Sequence, residues 1–286
     1  MIKISEIIDV IEKTAPLGIA ASWDASGVQV AALRREVGSV AVMLDPSLEN
    51  VRCAADAGAD FILAHHPLSM KPRFPNVCDD YLATLSLLFS RNIWLYSAHT
   101  SLDANPRGPV LWLARALGLK ELGVLEPVAD ARMAPAAGAQ NDRTKDDRAK
   151  GGTSGPEGFG FGFTGLLPQP VSYADFRVTL AQCLGKKDWQ RCGPRPEYVS
   201  QVACCPGAGG SLLPYVLRSG ADVFITGDIK YHTALDAVAG GLRVLDVGHF
   251  VIEEEMMRRF AEQLAGELSV PVSFFPGTDP LAGEHC

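Results

Sequence analysis

Phe61-Ile62-Leu63-Ala64 runs without a polar residue into His65-His66-Pro67. Four consecutive apolar residues read as a strand buried on both faces, the form strands take in a parallel sheet covered by helices. Pro67 cannot continue that strand through the middle of a sheet, so the chain must turn there. The two imidazoles therefore stand at a strand's carboxyl end, where open α/β sheets place their ligand crevice.

The same rhythm recurs along the chain. Ile4, Ile7, Ile8 and Ile11 form the apolar stripe of an amphipathic helix over 4–13. A polar turn from Trp23 feeds a short strand ending at Val30, 40–44 reads as a strand, and 48–57 as a helix stopped by Gly58. A helix over 81–90 precedes a strand over 93–97, which delivers Ala98-His99-Thr100-Ser101-Leu102-Asp103; 110–117 is a helix. In the second half, strands are predicted over 159–165, 198–205, 223–226, 242–247 and 272–275, with helices over 173–184 and 212–218. Asp228 is placed to cap a helix ending at 239, and a long helix from His249 to about 268 carries Glu253. Alternation at this spacing predicts an α/β fold of βαβ units with mostly parallel or mixed sheets flanked by helices.

Between the halves, 129–158 holds Ala, Gly, Asp, Arg and Lys and almost no large apolar residue. Such a segment buries too little surface to offset its ordering entropy and reads as a linker or disordered insertion. The expected organisation is an amino-terminal α/β lobe over 1–127, a linker or reduced insertion over 128–158, and a carboxyl-terminal α/β lobe over 159–286. A hydrophobic content of 47% with 21% charged residues is that of a soluble globular protein. The net charge of −7 gives no reason to expect general nucleic-acid binding. No apolar run is long enough to span a bilayer, and the first residues lack a signal peptide's apolar stretch. Seven scattered cysteines with no Cys-x-x-Cys pair read as reduced thiols, so a cytoplasmic location is expected.

Five of the six histidines fall in three short clusters: His65-His66, His99 with Asp103, and His232 and His249 with Glu253. The turn at Pro67 lets both neighbouring imidazoles face one crevice, and His249 and Glu253 lie four apart on one helical face. Imidazole with carboxylate suits Zn, Fe, Mn or Co and is not a structural cysteine site. Three strand ends thus offer enough donors for a two-metal hydrolase site. His232 is open between substrate contact and an ordinary surface histidine, and His285 in the tail receives no role. Trp23 and Asp24 either line the site or form a buried Trp beside a turn-forming Asp. The loop Gly207-Ala208-Gly209-Gly210-Ser211 can present backbone N–H groups to a phosphate, or be a tight turn that needs glycine dihedrals and nothing more.

Several motifs together resemble the GTP cyclohydrolase 1 type 2 family, also known as the NGG-interacting-factor-three-like (NIF3-like) family. They are Trp23-Asp24 with Gly27 and Gln29, His65-His66-Pro67-Leu68, His99-Thr100 with Leu102-Asp103, the 207–211 loop, the run 221–228, and Gly248-His249 with Glu253. Outside the linker the likeness covers almost the whole chain. The chain departs from the family pattern at Ala25, where Asn is usual, and over 109–112, which lacks an Asn-Asp pair. The resemblance implies a two-lobed fold, a dinuclear centre of divalent Zn, Fe or Mn between the lobes, and a ring-shaped homohexamer. On its pattern His65 and Asp103 hold one metal, His66 and His249 the other, and Glu253 bridges them. It also implies hydrolytic opening of the imidazole ring of GTP with release of formate. His99 or His232 would then carry the proton, and Lys230 with Gly207, Gly209, Gly210 and Ser211 would hold the triphosphate. Hydrolysis of another nucleotide or phosphoester, or a non-catalytic metal-binding scaffold, are the alternatives.

Overall fold

The structure is a computed structural model that describes residues 1–128 and 158–281. All but the two end residues of the linker expected over 128–158, and the tail residue His285, lie outside the described residues. Elements follow in chain order. The first half contains β1 (Ile2–Lys3), α1 (Ile4–Thr14), β2 (Gly27–Val30), β3 (Glu36–Val37), β4 (Val40–Met43), α2 (Leu48–Asp56) and β5 (Phe61–Ala64). It continues with α3 (Asp80–Arg91), β6 (Trp94–Ser97), α4 (Thr100–Asp103), α5 (Trp112–Ala116) and β7 (Lys120–Pro127). The second half contains β8 (Gly160–Ser172), α6 (Tyr173–Leu184), β9 (Gln190–Cys192), β10 (Tyr198–Cys204) and α7 (Leu213–Ser219). It ends with β11 (Val223–Thr226), α8 (Tyr231–Ala239), β12 (Arg243–Asp246), α9 (His249–Glu267) and β13 (Val272–Phe274).

Two mixed sheets organise these elements. The first has the order β13-β4-β5-β6-β2, with β13, β4, β5 and β6 mutually parallel and β2 antiparallel at the edge. The second has the order β7-β8-β10-β11-β12-β9, with β10, β11 and β12 parallel and the flanking strands antiparallel. Strands β4, β5 and β11 are buried at every residue, which is why they read as unbroken apolar runs. Each sheet takes a strand from the other half of the sequence: β7 pairs with β8, and β13 returns to pair with β4.

One core joins the sheets. Ile7, Ile11, Val42, Phe61, Leu63 and Tyr96 pack in the same apolar cluster as Phe163, Val202, Ile225, Leu245 and Phe260. Full burial of side chains of this size contributes about 1.5–3 kcal/mol each. Helix α9 runs through this cluster with Ile252, Met256, Met257, Phe260 and Leu264 buried, and the Trp112 indole donates to the Ile252 carbonyl at 2.9 Å.

Most predicted elements sit where periodicity placed them, with instructive differences. The helix expected over 110–117 is a 3-10 turn at Pro109–Leu111 followed by α5, and that over 212–218 is a 3-10 turn at Gly209–Leu212 followed by α7. Strands β7 and β9 and the two-residue pair β1 and β3 were not predicted. Asp228 is not a helix cap: α8 begins at Tyr231 after Lys230, and Asp228 has a left-handed φ of 53°. Its carboxylate is turned to His249 instead. Among the described residues no helix is long and apolar enough to cross a membrane, and Cys53, Cys78, Cys183, Cys192, Cys204 and Cys205 are free thiols.

Candidate metal centre

Parallel strands of both sheets point their carboxyl ends at one cluster. In the first sheet, β4 leads to Asp45, β5 to His65 and His66, and β6 to His99 and then Asp103 on α4. In the second, β10 leads to Gly207, β11 to Asp228, and β12 to His249 and Glu253 on α9. Loop residues at strand ends are free of sheet pairing, so their side chains can turn toward a shared point.

Glu253 is the hub. It is 3% exposed, a burial an ionised carboxylate tolerates only with strong partners. Its Oε1 lies 3.7 Å from His65 Nε2; its Oε2 lies 3.2 Å from His66 Nε2 and 2.9 Å from His249 Nε2. Asp103 Oδ1 approaches His65 Nε2 at 3.7 Å, and the His66 and His249 Nε2 atoms are 3.4 Å apart. The donor atoms fall into groups whose members all lie within 4.8 Å of one another: His65, Asp103 and Glu253; His66, His249 and Glu253; and His65, His66 and His99. Glu253 belongs to the first two, one oxygen toward each.

What each imidazole does with its other nitrogen decides the chemistry. His65 Nδ1 lies 2.8 Å from the Ala98 carbonyl oxygen, which can only accept, so Nδ1 carries a hydrogen. His66 Nδ1 meets Asp45 at 2.7 Å, His249 Nδ1 meets Asp228 at 2.8 Å, and His99 Nδ1 meets Asp24 at 2.7 Å. In the neutral rings all four Nε2 atoms then present lone pairs to each other and to two carboxylates. Lone pairs gathered in this way repel unless protons or a cation sit among them. His65 Nε2 and Asp103 Oδ1 are correspondingly buried with no hydrogen-bond partner. Outer acceptors that fix the tautomer of each imidazole are the usual support of metal-ligating histidines. The residues present fit a bound metal ion with nitrogen and oxygen donors.

Without a cation the cluster must hold protons. Burial lowers His66, but hydrogen bonds to Asp45 and Glu253 outweigh it and raise the group to about 10. His249 is raised to about 9, burial being overcome by Glu253 and Asp228. His65 is raised too, by Asp103 and Glu253 against its burial. Burial raises Glu253, yet the surrounding imidazoles hold it well below the usual carboxylate range, while burial pushes Asp103 up. Burial also pushes the Cys204 and Cys205 thiols up, so they stay protonated beside the cluster.

The glycine-rich loop has a packing reason of its own. Gly207 has φ +63°, and a Cβ there would lie 2.2 Å from Glu253 Oε1. A Cβ at Gly209 would lie 2.4 Å from Thr226 Oγ1. Gly210 is under no such constraint, and Ser211 is exposed. Lys230 is exposed just before α8, and His232, also exposed, stands edge-on to Tyr231 with ring centroids 5.5 Å apart. Neither His232 nor Lys230 approaches the donor groups among the described contacts. Asp45 escaped the sequence reading, although an Asp directly after the 40–44 run occupies the same strand-end position as the histidines. Asp24 is a supporting residue for His99 and does more than form a turn.

The family model described as DUF34/NIF3 (NGG1p interacting factor 3) matches residues 2–280. A Clostridium perfringens protein named GTP cyclohydrolase 1 type 2 homolog is 27% identical over 273 residues, 95% of each chain. A Streptococcus pneumoniae protein of the same name is 29% identical, covering 93% of this chain and 89% of its own. Among solved structures, a Bacillus cereus protein related to NIF3 superposes with a TM-score of 0.80 at 25% identity, covering 98% of both chains. Reduced HcgD from Methanocaldococcus jannaschii superposes with a TM-score of 0.77 at 27% identity, covering 96% of this chain and 98% of its own. With its fold, its motifs and the match over residues 2–280 in agreement, the chain belongs to the DUF34/NIF3 family.

Proposed function

We propose that this protein is a dinuclear metal-dependent hydrolase of a nucleotide, with GTP as the substrate and its imidazole ring as the part opened. The observation that carries the reading is Glu253, one buried carboxylate shared by two three-residue donor groups. The relatives named GTP cyclohydrolase 1 type 2 homolog supply the choice of substrate. Bound divalent cations supply Lewis acidity and bring the pKa of water down toward about 7.

The chain's residues do the remainder. His65 and Asp103 stand on one side of Glu253, and His66 and His249 on the other, held in orientation by Ala98, Asp45 and Asp228. His99, tied to Asp24 through Nδ1, has Nε2 left to take or return a proton. It is preferred to His232 because His99 shares a donor group with His65 and His66. In the proposed reaction a first water opens the ring by breaking one C8–N bond. A second water breaks the other and releases C8 as formate, each departing nitrogen taking a proton. Lys230, with Gly210 and Ser211 at the exposed end of the loop, is assigned to the phosphates. The reading includes the ring-shaped homohexamer expected from the family resemblance.

The test is incubation of metal-loaded protein with GTP and Mn, Fe(II) or Zn. Formate release that disappears in Glu253→Gln is the expected result. Inorganic phosphate without formate would replace ring opening by phosphoester hydrolysis. No product with any of the three ions would overturn the reading.

A further inference from the structure

We infer that Trp23 is a stacking platform for the flat heteroaromatic ring of a nucleotide bound at the metal centre. This rests on the nucleotide reading for the reaction, but not for the ring. Trp23 is 64% exposed, whereas Trp112 and Trp189 are 2% and 9% exposed. An indole more than half exposed has at least one face open to solvent. It is not at a random place: its ring stands edge-on to His99, with centroids 6.0 Å apart at 72°, and His99 shares a donor group with His65 and His66.

The loop that carries Trp23 is fastened on both sides. Ala21 N–H donates to Thr100 Oγ1 at 2.9 Å, and Asp24 N–H donates to the Ala21 carbonyl at 3.0 Å. The Asp24 carboxylate accepts from Ala25 N–H, Ser26 Oγ, Thr100 N–H and Thr100 Oγ1 besides facing His99. Those bonds use up the acceptor capacity of Asp24, so it holds the loop and does not read a ligand. Ser22 and Asp24, the sequence neighbours of Trp23, line with Leu17 and Ala21 a separate cavity of about 470 Å³ that the indole itself does not wall.

A rigid apolar ring kept in water next to a cluster of metal donors has a ready use. Stacking of a base on an indole is tolerant of base identity, because every base has a π face, and needs no hydrogen-bond donor from Trp23. Because the bonds of Ala21 and Asp24 fasten the backbone on both sides of Trp23, the segment that carries the indole loses little freedom on binding. The ligand class is thus a purine or pyrimidine nucleotide, its ring on Trp23 and its reactive part toward His99.

Equilibrium binding of guanosine, adenosine and cytidine 5′-monophosphates, with ribose 5-phosphate as the ringless control, tests this on wild type, Trp23→Phe and Trp23→Ala. The expected result is that the nucleotides bind wild type more tightly than the control. Trp23→Ala weakens them by about tenfold, Trp23→Phe by less, and neither changes ribose 5-phosphate binding, metal content or melting temperature. Nucleotides that bind no better than ribose 5-phosphate, or bind Trp23→Ala as well as wild type, overturn the assignment. A protein that binds nucleotides through Trp23 yet releases neither formate nor phosphate overturns the hydrolase reading and leaves the assignment of Trp23 standing.

Discussion

At the scale of single residues, the site is built from pairs, each imidazole with an outer acceptor. Among the described residues Asp45 meets the cluster through His66, so it separates orientation from ligation. Asp45→Asn keeps the side chain's shape but reduces its pull on the Nδ1 hydrogen. Outer partners of this kind typically change metal affinity by about 10–100-fold. The expected outcome for Asp45→Asn is a loss in that range with unchanged folded secondary structure, read by competition with a chromogenic chelator. The protonation of the cluster gives a second prediction. In the metal-free protein His66 and His249 titrate at about 10 and about 9, above the ordinary histidine value. Their contribution to stability is therefore complete below about pH 6.5 and is lost as pH rises through those two values. The melting temperature of metal-free protein should fall between about pH 7 and about pH 10, and metal uptake at neutral pH should release protons, measurable in weakly buffered solution. Acid has the opposite sign at Asp24. Burial raises this carboxylate, but His99, Ser26 and Thr100 outweigh burial and hold it well below the usual range. Its share of stability is present above about pH 4 and is lost as the solution is acidified toward its lowered value.

At the scale of elements, geometry comes from strand ends and one helix. His249 and Glu253 share a face of α9 because they are four apart, and the buried side from Ile252 to Leu264 fixes that helix against both sheets. Gly207 must stay without a side chain for Glu253 to sit where it does. Gly207→Ala adds a Cβ to a left-handed backbone and into Glu253 Oε1. A cost of about 1–3 kcal/mol is expected for the backbone conformation alone, and denaturant unfolding with metal analysis should show both lower stability and reduced metal content. These elements also show why some of the architecture was legible and some was not. Strands β4, β5 and β11 announce themselves because burial on both faces demands an almost unbroken apolar run, and the polar residues that follow then stand out. Strand β7 is Lys120-Glu121-Leu122-Gly123-Val124-Leu125-Glu126-Pro127, with three charges and a glycine, and it becomes a strand because the long β8 lies beside it. Strands β1 and β3, two residues each, exist only through their mutual pairing. That β13 crosses back to β4 is a property of the folded topology and leaves no periodic mark in the sequence.

At the scale of the whole molecule, two sheets share one core, and the donors come from the carboxyl ends of strands in each. Histidine pairs and carboxylates at predicted strand ends were readable one cluster at a time, because each follows an apolar run. Their meeting at one site was an expectation from their shared place at strand ends and from the family resemblance; the packing of the second sheet on the first, which brings them together, leaves no periodic mark in the sequence. The loop 207–211 illustrates the limit: its glycines suggest an anion, while the fold shows Gly207 pressed against a carboxylate of the site itself. The central claim is that Glu253 is shared by two metal-holding groups. Elemental analysis of purified protein equilibrated with Zn, Mn or Fe(II), beside His66→Ala and Glu253→Ala, tests it most directly. Two ions per chain in wild type, fewer in His66→Ala and none in Glu253→Ala is the predicted result. Wild-type protein that retains no more metal than Glu253→Ala would contradict it.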